Sequence, residues 1–430
     1  MDKLLEFLSF QDPNVRVVAF GTIFLGMSAA TVGTFAFLRK RSLVGDAVAH
    51  AILPGIAIAF MLFQTKNPFV LMSGALVSGW LAMLLIEHLS KSTKLKPDTS
   101  IGLVLSVFFG VGILLLTSIQ HSGAGNQAGL DQFLFGKAAA MTQNDLLAYG
   151  IVALILLITV ALFFKEFKLL SFNPAFAEAS GLPVKRLQFI LSTITVLAIS
   201  IGIQSVGVVL MAALLITPAA TARPWTENLL MMMVLAGLAG GFSGLVGSFI
   251  SFTAPNMPTG PWIVMCLSFL ALFSLFLAPK KGILARIQQQ RQNRKKILSE
   301  NLLKAFYHLR ENNPETDTFS NLQLLRKRHF SQSEYQTALS RLRRNFYIMP
   351  KGEKWQLSEK GYEEAKRVVR LHRLWEMYLT ERMRLKADHI HPNAETIEHI
   401  ITPEIEAQLL RELDYPETDP HQSPIPYPRN

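Results

Sequence analysis

The feature that most constrains this chain is a succession of long apolar runs that begins near Val15 and stops near Pro279. A membrane-spanning α-helix needs roughly 20 apolar residues. The sequence therefore predicts an all-α polytopic membrane protein over residues 1–280, with eight or nine transmembrane helices. The candidate spans lie at about 15–38, 44–63, 69–86, 101–119, 146–164, 187–203, 206–222, 229–252 and 262–278.

Basic residues follow every odd-numbered run, from Arg39 after the first to Lys281 after the ninth. Because cytoplasmic loops carry the excess of Lys and Arg, this pattern predicts a cytoplasmic C-terminus and an external N-terminus. Only Gln204 and Ser205 separate the sixth run from the seventh. A broken or re-entrant helix there would make the count eight and move the N-terminus inside. The chain start lacks the features of a cleavable signal peptide, so we expect the first run to be retained.

Beyond Pro279, charged and polar residues dominate, so the chain contains two domains suited to two solvents. The net charge of +11 fits the excess of Lys and Arg in the cytoplasmic loops of a membrane protein, and for the tail it also fits an origin in a nucleic-acid-binding protein. The single cysteine, Cys266, lies in an apolar run, so no intrachain disulfide is expected. No G-x-x-x-x-G-K-[ST] loop occurs, so we predict no enzyme activity, and energy must come from a partner or an ion gradient.

Two ionisable residues stand out within the second apolar run. Asp46 and His50 are four residues apart, so on a helix they share a face and can reach one ion or each other. Ionisable groups in a membrane usually face a pathway or a partner, and a carboxylate with an imidazole suits Mn²⁺, Zn²⁺ or Fe²⁺. In the alternative interpretation, Asp46 only caps the helix and His50 packs behind it. Pro54 and Gly55 follow, and a break there could free carbonyl groups to line the same cavity.

Two loops carry further information. Residues 120–145 are glycine-rich and polar, and the predicted topology makes them an external docking face. Residues 165–186 are predicted to be cytoplasmic, with Asn173-Pro174 starting a short helix that Gly181 ends. Such a helix suits a permease that receives force from an ATPase, although an ordinary amphipathic surface loop has the same composition.

Several motifs resemble the manganese/zinc/iron ABC permease family. They are RSLVGDAVAHAILPG at 41–55, LDQFLFG at 130–136, FNP at 172–174 with GLP at 181–183, SVGV at 205–208 with LITPAATAR at 215–223, and PTGP at 258–261. The resemblance implies a homo- or heterodimeric permease in the bacterial inner membrane, with separate ATPase subunits and an extracytoplasmic metal-binding protein.

The same resemblance implies roles for particular residues. Asp46 and His50 become expected ligands in the translocation path of Mn²⁺, Zn²⁺ or Fe²⁺, and no tightly bound cofactor is expected. The expected ATPase-coupling residues are Asn173, Phe176, Glu178 and Gly181.

The tail pattern predicts a winged helix-turn-helix. Residues 300–311, 319–329 and 331–345 are predicted helices, and Met349–Leu357 suits a β-wing. The third helix begins with a capping box of Ser331 and Glu334. It exposes the candidate DNA-contact residues, which are Arg341, Arg343 and Arg344.

Residues 300–426 resemble the iron- and manganese-dependent transcriptional repressors, through LSEKG at 357–361, HRLWE at 372–376 and PHQSPIP at 420–426. This resemblance implies a cytoplasmic site for regulatory Mn²⁺ or Fe²⁺. Its candidate ligands are His372, Glu376, His391, Glu395, Glu398 and His399. The chain departs from the manganese-type pattern at Asn301 and Lys304, where that family has carboxylates, and a lysine would repel the ion. In the alternative interpretation, the His372/Glu376 and Glu398/His399 pairs are solvated groups on helix surfaces, in a domain kept for dimer packing.

The sequence thus predicts a permease domain at 1–280, a basic connector at 281–298, a winged-helix domain at 299–357 and a helical metal-binding or dimerisation domain at 358–430. The leading hypothesis is ABC import of a divalent metal, with the tail as a metal-responsive gate. The first alternative is a membrane-tethered or releasable transcription regulator, for which DNA is a disfavoured partner while the domain is tethered. The second alternative is a secondary transporter driven by an ion gradient.

Overall fold

The structure is a computed structural model, and it describes residues 2–65, 67–121, 136, 138–254, 257–328, 330–383 and 401–427. The chain divides into two compact units, Met1–Ala285 and Arg286–Asn430.

The first unit is built from helices. They are α1 (Asp2–Ser9), α2 (Pro13–Leu38), α3 (Ser42–Ala51), α4 (Leu53–Phe63), α5 (Pro68–Ser92), α6 (Pro97–His121), α7 (Gln143–Leu162), α8 (Phe164–Phe172), α9 (Pro174–Ala179), α10 (Val184–Val206), α11 (Val208–Ala222), α12 (Leu229–Thr253) and α13 (Thr259–Leu277). Within the described residues, eight spans are long and apolar enough to cross a membrane, with α3 and α4 forming one of them. The predicted polytopic α-helical fold is therefore confirmed.

Helix α2 lies at the centre of this unit. Val32 and Phe35 are fully buried, and Gly26 packs against the backbone of Gly240 in α12. A Cβ atom at Gly26 would lie 2.3 Å from the Gly240 carbonyl oxygen, so the two helices approach more closely than larger residues would permit.

The chain reverses direction at Gly207, between α10 and α11. Gly207 has φ 89° and ψ 162°, a conformation that is essentially restricted to glycine. A Cβ atom at Gly202 would lie 2.2 Å from the sulfur of Met211, which shows that α11 turns back along α10. The sixth and seventh predicted spans are therefore two helices joined by a sharp reversal.

Helix α11 runs beside α13 in the same direction. At one end, Gly260 packs against Leu210, and at the other Ser274 Oγ donates a hydrogen bond to the Thr221 carbonyl oxygen at 2.6 Å. The 15 residues of α11 extend about 22 Å, which is shorter than a typical span. Helix α11 is therefore a shorter apolar helix beside the eight long candidate spans of the described residues.

The second unit contains a three-stranded antiparallel sheet with helices around it. Its elements are α14 (Ile283–Asn312), which begins in the first unit, β1 (Thr318–Ser320), α15 (Asn321–Lys327), α16 (Gln332–Arg344), β2 (Ile348–Lys351), β3 (Lys354–Leu357), α17 (Glu359–Glu381) and α18 (Pro403–Glu412), and the strand order is β1-β3-β2. Phe306, Phe319 and Leu342 are buried in its core.

The predicted winged-helix elements are present, with two differences. The basic connector and the first predicted helix form one continuous helix, α14, because no glycine or proline interrupts residues 283–312. The predicted helix at 319–329 is shorter, since Thr318–Ser320 pairs with β3 as a strand and Ser320 caps α15. The predicted capping box of Ser331 and Glu334 is confirmed at the start of α16.

Candidate functional site

Helix α3 carries an open strip on an otherwise buried surface. Ala47, Val48, Ala49 and Ala51 have no exposed surface, and the opposite strip contains Leu43, Asp46 and His50. The spacing of three and then four residues places these three side chains one above another on the helix. The only carboxylate and the only imidazole of α3 therefore lie on its uncovered side.

Asp46 and His50 lie within reach of each other. The distance from His50 Nε2 to Asp46 Oδ1 is 3.6 Å, and 41% of the Asp46 side chain and 18% of the His50 side chain are exposed. The His50 ring packs edge-on against Phe109 of α6, with 4.8 Å between centroids. Its Nδ1 is buried and has no hydrogen-bond partner among the described residues. The pair thus offers one oxygen-donor group and one nitrogen-donor group, with the imidazole held by an aromatic neighbour.

The open strip of α3 continues into a cleft. The cleft has a volume of about 410 Å³, and Leu43, Arg41, Glu87 and Asp98 are among its lining residues. Arg41 Nη1 lies 3.3 Å from Glu87 Oε1, so an ion pair closes part of this opening. A polar opening therefore begins one helical turn from Asp46.

Of the carbonyl groups that the break after His50 was expected to free, that of Ala51 is satisfied within the protein. Helix α3 ends at Ala51, and its carbonyl oxygen accepts a hydrogen bond from Ser78 Oγ of α5 at 2.6 Å. The expectation was wrong for Ala51 because a serine on the neighbouring helix satisfies this group. Gly55 instead permits close packing, with the Gly74 backbone against it.

Sequence reasoning missed a buried carboxylate at another position of the membrane unit. Asp145 is 1% exposed and lies in the first turn of α7, just before the predicted start of that span. It forms a capping box with Thr142 and accepts a hydrogen bond from Gln204 at 3.3 Å. The Thr-x-x-Asp pattern could have revealed it, since such a pattern marks a helix start.

The predicted coupling segment forms the short helix α9. Asn173 caps it by accepting a hydrogen bond from the Phe176 amide at 3.0 Å, and Gly181 ends the turn with φ 80°. Phe176 is 57% exposed, and Glu178 is exposed beside it. A cleft of about 620 Å³ borders this helix, and Glu178, Lys185 and Arg186 are among its lining residues. This segment therefore presents an aromatic and charged surface.

In the tail, His372 and Glu376 form a buried pair on α17. The distance from His372 Nε2 to Glu376 Oε1 is 3.2 Å, and the residues are 5% and 2% exposed. The alternative that they are solvated surface groups was therefore wrong. The other candidate ligands, His391, Glu395, Glu398 and His399, lie outside the described residues.

The described residues of the tail do not by themselves fit a metal ion. No group of three or more His, Cys, Asp or Glu side chains suited to a metal occurs in the described parts of the chain. Lys304, at the position where the repressor pattern has a carboxylate, is 4% exposed, and its side chain has no oxygen donor for a metal ion. Asn301 Oδ1 is buried without a hydrogen-bond partner among the described residues.

The three candidate DNA-contact arginines differ in their surroundings. Arg343 and Arg344 are exposed at the end of α16. Arg341 is half-buried, and its Nη1 donates a hydrogen bond to the Gln292 carbonyl oxygen of α14 at 3.5 Å. Two of the three guanidinium groups are thus exposed.

Comparison with known proteins identifies both parts of the chain. The profile of the ABC 3 transport family matches residues 11–278. The chain belongs to the ABC 3 transport family. Residues 358–427 match the metal binding and dimerisation domain of the iron dependent repressors. This ABC 3 member thus carries a repressor-like domain after its membrane helices.

Individual relatives support the assignment. The chain is 42% identical over 380 residues to the manganese transport system membrane protein MntC of Bacillus subtilis (strain 168), covering 88% of this chain and 87% of that protein. It is 42% identical over 283 residues to the zinc transport system membrane protein TroC of Treponema pallidum (strain Nichols), covering 66% of this chain and 95% of that protein. The structure of PsaBC from Streptococcus pneumoniae in complex with Fab matches with a TM-score of 0.58 and 33% identity, covering 65% of this chain and 97% of that chain.

Proposed function

We propose that this chain is the membrane-spanning subunit of an importer of divalent transition-metal ions, Mn²⁺, Zn²⁺ or Fe²⁺. The observation that carries the proposal is the Asp46–His50 pair on the open strip of α3. A carboxylate with 41% of its side chain exposed on a membrane-spanning helix is too costly to place against lipid, so it faces a polar path.

Two ligands are fewer than a bound transition metal needs, because such ions usually take four to six. The remaining ligands of the transported ion come from water or from a second permease subunit across the path. The open strip on α3 favours this arrangement, since the subunit itself leaves that side uncovered.

The Asp46–His50 pair does not select one metal ion, and the candidate ions manganese and zinc come from the relatives. The two relatives named above are described as manganese and zinc transport proteins. A carboxylate and an imidazole accept either ion, and selectivity in such sites depends on geometry and metal availability.

We further propose that the basic ends of the helices face the bacterial cytoplasm. Arg39, Lys91, Lys165, Arg186 and Arg223 lie at the ends of α2, α5, α8, α10 and α11 that this topology places on one side. Nine passages then place the N-terminus outside and the tail in the cytoplasm. On the same side, α9 contacts a separate ATPase subunit, and the external side receives the ion from a metal-binding protein.

Uptake by the reconstituted permease tests the proposal. In proteoliposomes with its ATPase and binding-protein partners, the wild type should accumulate radiolabelled Mn²⁺, Zn²⁺ or Fe²⁺ when ATP is supplied. Asp46→Ala should reduce uptake by at least about 100-fold, because even residues that only orient metal ligands contribute about 10–100-fold. Glu227→Gln, which removes a carboxylate whose side chain is 80% exposed, is the matched control and should transport normally. Normal uptake by Asp46→Ala would exclude the proposed path.

The repressor-like tail supports a second candidate role, a tethered DNA-binding regulator. The winged-helix elements and the exposed Arg343 and Arg344 favour it. The full chain in detergent should then bind one operator sequence more tightly than random DNA at physiological salt. Binding that disappears with salt and shows no sequence preference would reject this role.

A further inference from the structure

Helices α3 and α4 pack along α5, and one end of this contact is tightly fixed. Ser78 Oγ of α5 donates a hydrogen bond to the carbonyl oxygen of Ala51 at 2.6 Å, and Ser78 is 6% exposed. Further along, Gly55 packs against Gly74, and a Cβ atom on either glycine would overlap the carbonyl oxygen of the other. Small residues of this kind let helix backbones approach closely. Separation at this end would therefore break a buried hydrogen bond and a backbone contact.

The opposite end of the same contact is held by a partly exposed ion pair. Arg41 precedes Ala51 by ten residues and Glu87 follows Ser78 by nine, so the helices are antiparallel and the pair lies about 15 Å from the fixed end. Arg41 Nη1 lies 3.3 Å from Glu87 Oε1, with 39% and 24% of the side chains exposed. Ion pairs exposed to this extent contribute little to stability, because water solvates the separated charges. The helices are thus fixed at one end and weakly joined at the other.

Positive charge is concentrated at the weakly joined end. Burial is the main cause that lowers the pKa of Arg39 to about 10; the charge of Arg41 lowers it further, and the charge of Glu87 opposes this effect. Arg39 therefore lies near both members of the ion pair. A divalent cation that passes this end is repelled by the guanidinium groups while they stay in place. Four cationic residues and two carboxylates line the cleft of about 410 Å³ at this end, and they are Arg39, Lys40, Arg41, Lys91, Glu87 and Asp98.

We propose that the Arg41–Glu87 ion pair is the inner closure of the metal path, and that it opens when α3 and α5 separate at this end. The inference rests on the proposed import function, which makes Asp46 a ligand of the transported ion. Asp46 is one helical turn from Leu43, which lines the cleft, so an ion released towards this side passes the pair. A partly exposed pair suits the role, because a buried pair is costly to break and would hold the path shut. Arg41 and Glu87 act as positioning residues that do not bind the ion.

The reaction of a buried cysteine tests whether the pair closes the cleft. Val44 lines the cleft and is 4% exposed, and Cys266 is the single native cysteine. In the full chain with Cys266→Ala and Val44→Cys, Glu87→Gln should speed modification by a neutral thiol reagent about 3- to 5-fold, the change expected from a weak ion pair. Glu227→Gln is the matched control, because it breaks an exposed ion pair with Lys281 in the same unit, and it should leave the rate unchanged.

A charge swap separates loss of the ion pair from general loosening of the fold. Arg41→Glu alone places two carboxylates across the opening, so it should give the fastest modification of the cysteine. Arg41→Glu combined with Glu87→Arg restores the attraction with the signs reversed and should return the rate to that of the unaltered pair. An unchanged rate in Glu87→Gln, or a fast rate that the swap does not reverse, would overturn the closure.

Metal uptake connects the closure to transport. In proteoliposomes that contain the permease with its ATPase and binding-protein partners, Arg41→Glu should lower ATP-driven uptake of Mn²⁺ about 3- to 5-fold, because an opening that does not close lets ions return to the path. The swap with Glu87→Arg should restore uptake. Normal uptake by Arg41→Glu would show that the pair does not close the metal path. No uptake by the wild type, with the cysteine rates as expected, would instead reject the import function on which the inference rests, while the closure itself would stand.

Discussion

Gln204 Nε2 donates a hydrogen bond to Oδ1 of Asp145 across 3.3 Å, joining the last turn of α10 to the first turn of α7. Asp145 is 1% exposed and Gln204 is 9% exposed. The same carboxylate accepts hydrogen bonds from the backbone and the side chain of Thr142, at 2.9 and 3.0 Å. A buried carboxyl group thus joins two helix ends and the turn that precedes α7.

Loss of this hydrogen bond should destabilise the membrane unit. Gln204→Leu removes the donor and leaves the buried Asp145 oxygen less well satisfied, which costs about 1–3 kcal/mol. The thermal denaturation midpoint of the detergent-purified chain should therefore fall. Gln143→Leu changes an exposed glutamine in the same turn of α7 and should leave the midpoint unchanged. Equal midpoints for the two variants would show that the Asp145–Gln204 bond does not contribute to stability.

The reversal at Gly207 should not tolerate a side chain. With φ 89° and ψ 162°, Gly207→Ala forces alanine into a region that costs about 1–3 kcal/mol. Gly102→Ala is the matched control, since a Cβ atom there has no neighbour within 4 Å and alanine favours a helix by up to about 1 kcal/mol. Denaturation midpoints should move in opposite directions. A midpoint that does not fall in Gly207→Ala would contradict the reversal.

Hydrophobicity and charge predicted most of the membrane unit, because a lipid-spanning helix must be apolar along about 20 residues. Hydrophobicity and charge did not show whether the chain at Gly207 forms one broken helix or reverses between two helices, because both structures have the same apolar sequence. The satisfied carbonyl of Ala51 was also beyond prediction, because it depends on Ser78 of a different helix.

The pairing of Asp46 with His50 could be predicted because residues four apart on a helix share a face. The burial of His372 and Glu376 could not, because the charged pattern of α17 also fits a solvated helix. Only the packing of α14 across α17 distinguishes these cases.

The exposed aromatic ring of α9 should contribute to ATPase coupling without contributing to stability. Phe176 is 57% exposed, so Phe176→Ala should leave the denaturation midpoint unchanged. Loss of an aromatic anchor at an interface commonly costs about 2 kcal/mol or more, so metal-stimulated ATP hydrolysis should fall by roughly 30-fold. Phe346→Ala, at a ring that is 77% exposed in the tail, is the control. Full stimulation of ATP hydrolysis by metal in Phe176→Ala would show that this ring of α9 does not contribute to ATPase coupling.

The stability of the tail should depend on pH through His308. Burial is the main cause that lowers the pKa of His308, from 6.5 to about 4 in the folded chain. The unfolded chain therefore binds a proton at a higher pH than the folded chain does. As the pH falls from 6.5 to about 4, the tail should lose stability, by about 2–3 kcal/mol at most. Glu311 acts in the same direction at lower pH: burial raises the pKa of its carboxyl group, but the Arg373 pair outweighs this and leaves that pKa below 4.5.

Hydrogen exchange of α14 and α17 between pH 4.5 and 7.5, corrected for the intrinsic rate at each pH, measures this loss. His308→Gln removes the titrating ring, so its stability should change much less over the interval from pH 6.5 to 4.5, where Glu311 still contributes little. His421→Gln replaces an exposed histidine of the same unit and should retain the slope of the wild type. If His308→Gln and the wild type lost protection in parallel, another group would be responsible, because an imidazole that stays neutral in the folded chain must oppose folding at acid pH.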